Sequence, residues 1–146
     1  MNADPVYQKA IHYLSRREHS QSELTRKLSQ QGFTQQEISH TIQRLIAQNL
    51  QSDERFCEAY IRYRSLRGYG PVRIKQELTE RGVNHSLIAN CFEMCDIDWR
   101  EVAQHQYSKK FGEQAVTDFK VRAKHMRFLQ YRGFTSEQIA YCFDNN

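Results

Sequence analysis

Apolar residues recur along this chain at helical spacing, and one pattern of them is written three times. Leu24, Leu28, Gly32, Phe33, Ile38 and Ile42 are followed fifty residues later by Ile74, Leu78, Gly82, Val83, Ile88 and Phe92. Leu129, Gly133, Phe134, Ile139 and Phe143 then stand fifty-one residues after Leu78, Gly82, Val83, Ile88 and Phe92. A period near fifty residues predicts stacked supersecondary units, each too small to bury its own apolar face. No stretch keeps the strict alternation of a strand, and only Pro5 and Pro71 interrupt, so the whole chain reads as helix. The expectation is an all-α fold, a tandem array of three three-helix repeats that is elongated and curved. The repeats are set at residues 1–51, 52–97 and 98–146.

Local signals place the helices. Val6, Ala10, Tyr13 and Leu14 give a first stripe. Ser20-Gln21-Ser22-Glu23 and Thr34-Gln35-Gln36-Glu37 are capping boxes, in which hydroxyl and carboxylate satisfy amides at a helix start. Gly32 stops the helix of Leu24 and Leu28, and Ile38, Ile42, Leu45 and Ile46 are set inward on the next. In the second repeat Ser52 or Asp53 caps a helix carrying Phe56, Tyr60, Ile61 and Tyr63. Gly68-Tyr69-Gly70-Pro71 breaks it, and Pro71 suits the next helix start. Ile74 and Leu78 follow, then the Gly82 stop and an Asn84 cap before Leu87, Ile88, Cys91 and Phe92. In the third repeat Trp99, Val102, Ala103 and Tyr107 open a helix with Phe111 beyond it. Phe128 and Leu129 precede Gly133, and Thr135-Ser136-Glu137-Gln138 caps the last helix. The middle of this repeat, Gly112 to Lys120, departs from strict repetition. Gly68, Gly70 and the Asp96–Asp98 stretch are the expected places for flexing.

Charge sharpens the picture more by its placement than by its total of +4. Arg55, Arg62, Arg64, Arg67, Arg73, Lys75 and Arg81 lie in one stretch against Glu58, Glu77 and Glu80. Lys109, Lys110, Lys120, Arg122, Lys124, Arg127 and Arg132 lie in a second, against Glu113 and Asp118. Glu93, Asp96, Asp98 and Glu101 make an acidic spacer between them. Such stretches either solvate helix faces or meet an anionic partner. Tyr60, Tyr63 and Tyr69 interleave with Arg62, Arg64 and Arg67, an alternation suited to stacked bases and held phosphates. Tyr60 is read as core, and Tyr63 and Tyr69 are left open.

Enzymatic chemistry is not signalled. There is no GxxxxGK[ST] phosphate loop and no GxSxG nucleophile turn, and no carboxylate pair asks for a catalytic role. Cys91 and Cys95 are the one metal-like pair. Cys91 and Cys142 occupy equivalent positions on apolar stripes, so the core reading is preferred to zinc. The six histidines form no ligand spacing, and His125, between Lys124 and Arg127, is set at the surface. No cofactor is called for. The N-terminus has no secretory pattern and no apolar run reaches the ~18 residues of a membrane span, so a cytoplasmic monomer is expected.

The run Asp53-Glu54-Arg55-Phe56-Cys57-Glu58-Ala59-Tyr60-Ile61-Arg62-Tyr63-Arg64 resembles the central signature of the RecX family. So do Arg67-Gly68-Tyr69-Gly70-Pro71-Val72-Arg73-Ile74-Lys75-Gln76-Glu77-Leu78 and Arg81-Gly82-Val83, which follow it. The earlier Arg17-Glu18-His19-Ser20-Gln21-Ser22-Glu23-Leu24, with Lys27-Leu28 and Gly32-Phe33, resembles the family too, and the third repeat does so more loosely. Where the family often has glycine before the second repeat, this chain has Asn49, which also tolerates the left-handed conformation. The resemblance implies a bacterial modulator of the RecA recombinase. Such a protein lies along the groove of the RecA filament on DNA. It inhibits ATP hydrolysis, strand exchange and co-protease activity, restraining recombination and the SOS response. Charge clustering assigns the contacts to Arg62, Arg64, Arg67, Arg73 and Lys75, and to Lys109, Lys110, Lys120, Arg122, Lys124 and Arg127. DNA alone is expected to bind weakly, mainly through the filament. The rival readings are a plain single- or double-stranded DNA-binding module, a metal- or redox-dependent enzyme at Cys91 and Cys95, and an adaptor for another protein.

Overall fold

Helix ends in this protein are closed by the side chains that the sequence places there. Ser20 Oγ accepts the Glu23 amide while Glu23 reaches back to the Ser20 amide, and Thr34 and Glu37 do the same. In the third repeat the partner of Thr135 is Gln138, whose Oε1 takes the Thr135 amide at 2.9 Å. Ser52, and not Asp53, caps the fourth helix, accepting the Arg55 amide at 3.1 Å. Asp53 instead accepts from the Gln21 amide at 2.8 Å and from Gln51 Nε2 at 2.9 Å.

The computed structural model describes residues 4–113 and 116–144. Met1–Ala3 of the N-terminal reading, and two positions within the Gly112–Lys120 stretch, lie outside them. The described residues form α1 (Pro5–Arg16), α2 (Gln21–Gln30), α3 (Gln35–Ala47), α4 (Asp53–Leu66), α5 (Pro71–Glu80), α6 (His85–Met94), α7 (Trp99–Phe111), α8 (Phe119–Arg132) and α9 (Ser136–Asp144), with no strand among them. The fold is all-α, three three-helix repeats in tandem. One stop motif closes the middle helix of each. The amides of Phe33, Val83 and Phe134 reach back to the carbonyls of Leu28, Leu78 and Leu129 at 3.4, 3.1 and 3.2 Å. The glycine before each turns left-handed, a conformation that costs a Cβ-bearing residue about 1 kcal/mol or more. Asn49 takes φ +59° at the end of α3, as asparagine tolerates.

The chain divides into two compact units. Unit 1 comprises Met1–Tyr60 and Leu78–Glu93, and unit 2 comprises Ile61–Glu77 and Met94–Asn146. The chain passes between them within α4, within α5 and at the end of α6. Unit 1 is built around Val6, Ala10, Leu24, Leu28, Ile38, Ile42 and Leu45, all buried. Unit 2 is built around Ala103, Tyr107, Leu129, Phe134, Ile139 and Cys142. Each buried Val, Leu, Ile or Phe side chain among them contributes about 1.5–3 kcal/mol by leaving water.

Two readings of the pattern need correcting. Ile46, set inward from sequence, is 36% exposed. At 100° per residue it lies about 80° round α3 from Ile38. Thr41, on the Ile42–Leu45 side, is buried instead. Phe111 is the last residue of α7, not beyond it. Gly70, assigned to flexing, has a packing reason. Its amide donates to the Arg132 carbonyl at 2.8 Å, and a Cβ there would overlap the Gly133 carbonyl.

Candidate binding surface

All eleven residues singled out from charge clustering belong to unit 2. That unit holds thirteen Lys and Arg against eight Asp and Glu, a formal +5. Unit 1 holds eight against nine, a formal −1, so the modest total charge is an average over two unlike halves.

The centre of the unit 2 surface is Tyr69. It follows the left-handed Gly68, and its amide bonds the Arg64 carbonyl at 3.2 Å. Three guanidiniums lie over its ring: Arg64 at 4.0 Å, Arg73 at 4.4 Å and Arg132 at 4.8 Å. Each such contact is worth ~0.5–2 kcal/mol as the cation loses water. Glu77 organises two of them. Its oxygens accept Arg64 Nε and Nη2, both at 2.9 Å, and Arg73 Nε at 3.1 Å. Arg132 Nη1 donates to the Arg67 carbonyl at 3.4 Å, and Arg73 Nη1 to the Tyr131 carbonyl at 3.4 Å. These bonds hold the end of α8 against the α4–α5 turn. Arg67 in turn donates to Tyr63 Oη at 2.8 Å and lies over its ring.

The structure therefore brings Arg64, Arg67 and Arg73 into one cluster. Arg62 and Lys75 are exposed on α4 and α5. The second set is dispersed. Lys109 and Lys110 sit in the last turn of α7, where cations complement the helix dipole. Lys120, Arg122, Lys124 and Arg127 are exposed along α8. Of these, Lys110 lies over Phe128 at 5.7 Å and Arg122 over Phe143 at 4.5 Å. Arg132, placed by the sequence in the second basic stretch but not among the assigned contacts, joins this cluster, as does Tyr69, left open above; nothing in the sequence pointed to Tyr131 or to Glu77 as the organiser. Apolar side chains border the cluster in the open: Leu66 is 81% exposed and Tyr131 79%, with Tyr63 and Val72 about half exposed.

His125 does not solvate the surface as expected. It is buried, stacked on Phe111 at 3.6 Å between ring centroids, with Nδ1 3.0 Å from Tyr107 Oη. Burial lowers its pKa, with the Lys124 charge adding to this. The thiols of Cys57 and Cys142 are pushed up by burial, that of Cys142 to about 11, and Cys91 is buried as well. Among the described residues no group of three or more His, Cys, Asp or Glu is placed to hold a metal ion, and no helix is long and apolar enough to cross a membrane.

Comparison with known proteins covers all three repeats. The family models for the first, second and third three-helix domains of RecX match residues 7–45, 52–91 and 96–143. The "Regulatory protein RecX" of Pseudomonas putida strain W619 is 42% identical over 134 residues, which span 92% of this chain and 86% of that one. The protein of the same name from Actinobacillus pleuropneumoniae serotype 5b is 41% identical, over 92% and 87%. The crystal structure of RecX from Lactobacillus salivarius superposes with a TM-score of 0.78, covering 96% of this chain and 93% of that one at 21% identity, a likeness of fold. Repeat by repeat and along nearly its whole length, this chain belongs to the RecX family of regulatory proteins.

Proposed function

We propose that the chain is a negative regulator of RecA. It binds the RecA–DNA filament along its groove and inhibits ATP hydrolysis, strand exchange and co-protease activity, so restraining recombination and the SOS response. It acts as a non-enzymatic monomer in the cytoplasm, and DNA contributes to binding mainly through the filament. The observation that carries this reading is membership of the RecX family across all three repeats. The surface of unit 2 supports it: Arg and Tyr in contact, bordered by exposed apolar side chains, is the composition of an interface anchor. The filament contacts are Arg62, Arg64, Arg67, Arg73 and Lys75, with Lys109, Lys110, Lys120, Arg122, Lys124 and Arg127 flanking them. Inhibition then follows from tighter binding to a less active filament state, since a ligand shifts an equilibrium only by its differential affinity.

The test is DNA-stimulated ATP hydrolysis by RecA, titrated with this protein at far below one copy per RecA subunit. Strong inhibition at that ratio is expected. Inhibition only near saturation of the DNA would mean competition for DNA, the plain DNA-binding alternative. No inhibition at any ratio would sink the reading. Arg62→Glu with Arg67→Glu is the variant of choice for the contact patch. Both side chains are exposed and neither is bonded to Glu77, so helical content should survive while inhibition is lost.

A further inference from the structure

Unit 1 contains a cleft of about 530 Å³ that the two basic stretches do not predict. Its charged lining is Arg17, Glu23, Arg26, Lys27, Glu80 and Arg81. The walls are fixed. Ser20 Oγ donates to the Arg81 carbonyl at 2.8 Å, past the end of α5, while accepting the Glu23 amide at 3.1 Å at the start of α2. Glu23 is already engaged. Its Oε1 takes Arg17 Nη1 at 3.0 Å and the Ser20 amide at 3.2 Å, and its Oε2 takes Arg17 Nη2 at 3.3 Å and faces Arg81 Nε at 3.5 Å. Across the lining, the four cations Arg17, Arg26, Lys27 and Arg81 outnumber the two carboxylates Glu23 and Glu80, so the cleft is positive.

Lys27 adds to this in an unusual way. Its ammonium donates to His19 Nε2 at 2.9 Å, a neutral acceptor and not a carboxylate. The His19 ring is 1% exposed, and its Nδ1 bonds the Arg17 carbonyl at 3.0 Å, which puts the ring proton on Nδ1 and the lone pair toward Lys27. Arg26 stands exposed on the rim, without an ion pair among the described residues. An adjoining groove of about 420 Å³ runs along α2, past Gln21, Ser22, Thr25, Arg26, Ser29, Gln30 and Gln35. Besides the Arg26 guanidinium, which it shares with the cleft, it offers neutral hydrogen-bonding groups and no aromatic ring.

We propose that this cleft binds a phosphoryl group, with Lys27 and Arg26 as its ligands and Arg17 and Arg81 as flanking charge. The groove assigns the source. A free nucleotide would want a ring or apolar slot for its base, whereas a row of Gln, Ser and Thr suits the sugar–phosphate backbone of a nucleic-acid strand. The site is therefore a backbone contact for single-stranded nucleic acid along α2. It does not rest on the filament reading, because it is read on this chain alone.

The experiment is amide and arginine-Nε NMR of the full chain, titrated separately with pyrophosphate, thymidine monophosphate and an oligothymidylate of ~10 nucleotides. The oligonucleotide is expected to shift Ser22–Lys27 saturably. Lys27→Gln, which keeps a donor for His19, and Arg26→Gln should each weaken that binding about tenfold, the loss of one charge-assisted bond. Each should also lower the salt slope by ~0.7 per phosphate contact. Pyrophosphate or the mononucleotide matching the oligonucleotide in affinity would support a phosphoryl site and overturn the strand assignment. Overturning the site itself would take an absence of shifts at Ser22–Lys27 with all three probes, or shifts that both variants leave unchanged. Unchanged thermal melts of the variants exclude loss of fold, and the exposed Arg26 carries the test alone if Lys27→Gln does not fold.

Discussion

The two units of this protein hold their cations by the same two means and differ in what they leave exposed. In unit 1, Arg17 and Arg81 pair with Glu23, Arg44 with Asp4 and Arg55 with Glu18, while Arg44 also lies over Tyr7 and Arg81 over Tyr60. In unit 2, Arg67, Lys110, Arg122 and Arg132 lie over Tyr or Phe rings, and Arg100 pairs with Glu137. Arg64 and Arg73 share the one carboxylate of Glu77. A carboxylate cancels a cation, whereas a ring holds it in place and leaves its charge available. Exposed apolar residues divide the units more clearly. Tyr63, Leu66, Val72, Met94, Phe119, Val121 and Tyr131 belong to unit 2, against Ile46 and Leu50 in unit 1. Unit 2 thus carries most of the large apolar side chains that the described residues leave exposed. Unit 1 exposes fewer such side chains, and at its α2 cleft a local excess of positive charge survives a net −1.

The sharpest way to break this contrast is Gly70→Ala. The new methyl would overlap the Gly133 carbonyl and press on the Phe134 ring, and overpacking of this kind costs about 1–3 kcal/mol or more. Hydrogen exchange should show protection lost in α7–α9 and kept in α1–α3; equal loss in both would end the division. A smaller effect is expected from Glu77→Gln. Arg64 and Arg73 are 20% and 33% exposed beside it, and hydrogen bonds to charged groups are worth ~1.5–3 kcal/mol, so a loss of about 2 kcal/mol should appear in urea melts. An unchanged midpoint would mean that Glu77 does not organise the cluster.

What the sequence disclosed was local. Capping boxes act across three residues and glycine stops across five, so Ser20, Thr34, Gly32, Gly82 and Gly133 could be placed without a fold. The stripes of Leu24, Leu28, Ile38 and Ile42 were legible for the same reason, and only Ile46, at the edge of its stripe, was misplaced. The Arg–Tyr cluster of unit 2 was half legible. Arg64, Arg67 and Arg73 are close in sequence, but Arg132 reaches Arg67 across 65 residues, and no charge count joins them. The α2 cleft was hidden because the Ser20–Arg81 bond that closes it spans 61 residues. His125 was misread because Lys124 and Arg127 flank it in sequence, while Phe111 and Tyr107 surround it in space.

Each unit holds one buried histidine, which gives the mildest test of the contrast. His19 sits below its ordinary 6.5 chiefly through burial. Its bond to the Arg17 carbonyl works the other way, the charges of Arg17 and Lys27 lower it further, and Glu23 raises it. His125 is lowered by burial and by Lys124. The unfolded chain binds these protons near pH 6.5 and the folded chain only at lower pH. In that window the unfolded state holds more protons, so stability should fall as pH drops through 6.5 and level off once both folded rings are charged. Glu23 acts lower still. Burial pushes its carboxyl up, but the Arg17 bond, the Ser20 amide and nearby positive charge together hold it below its ordinary 4.5, so its contribution is lost only in more acid solution. Urea midpoints between about pH 7 and pH 5 should decline for the wild type and decline less for His19→Gln and for His125→Phe. Exchange protection locates the difference: His19→Gln should relieve acid loss in α1–α3, and His125→Phe in α7–α8. A slope that neither substitution alters would place the titrating groups elsewhere. A slope carried wholly by His19 would mean that the aromatic packing around His125 yields on protonation at no cost.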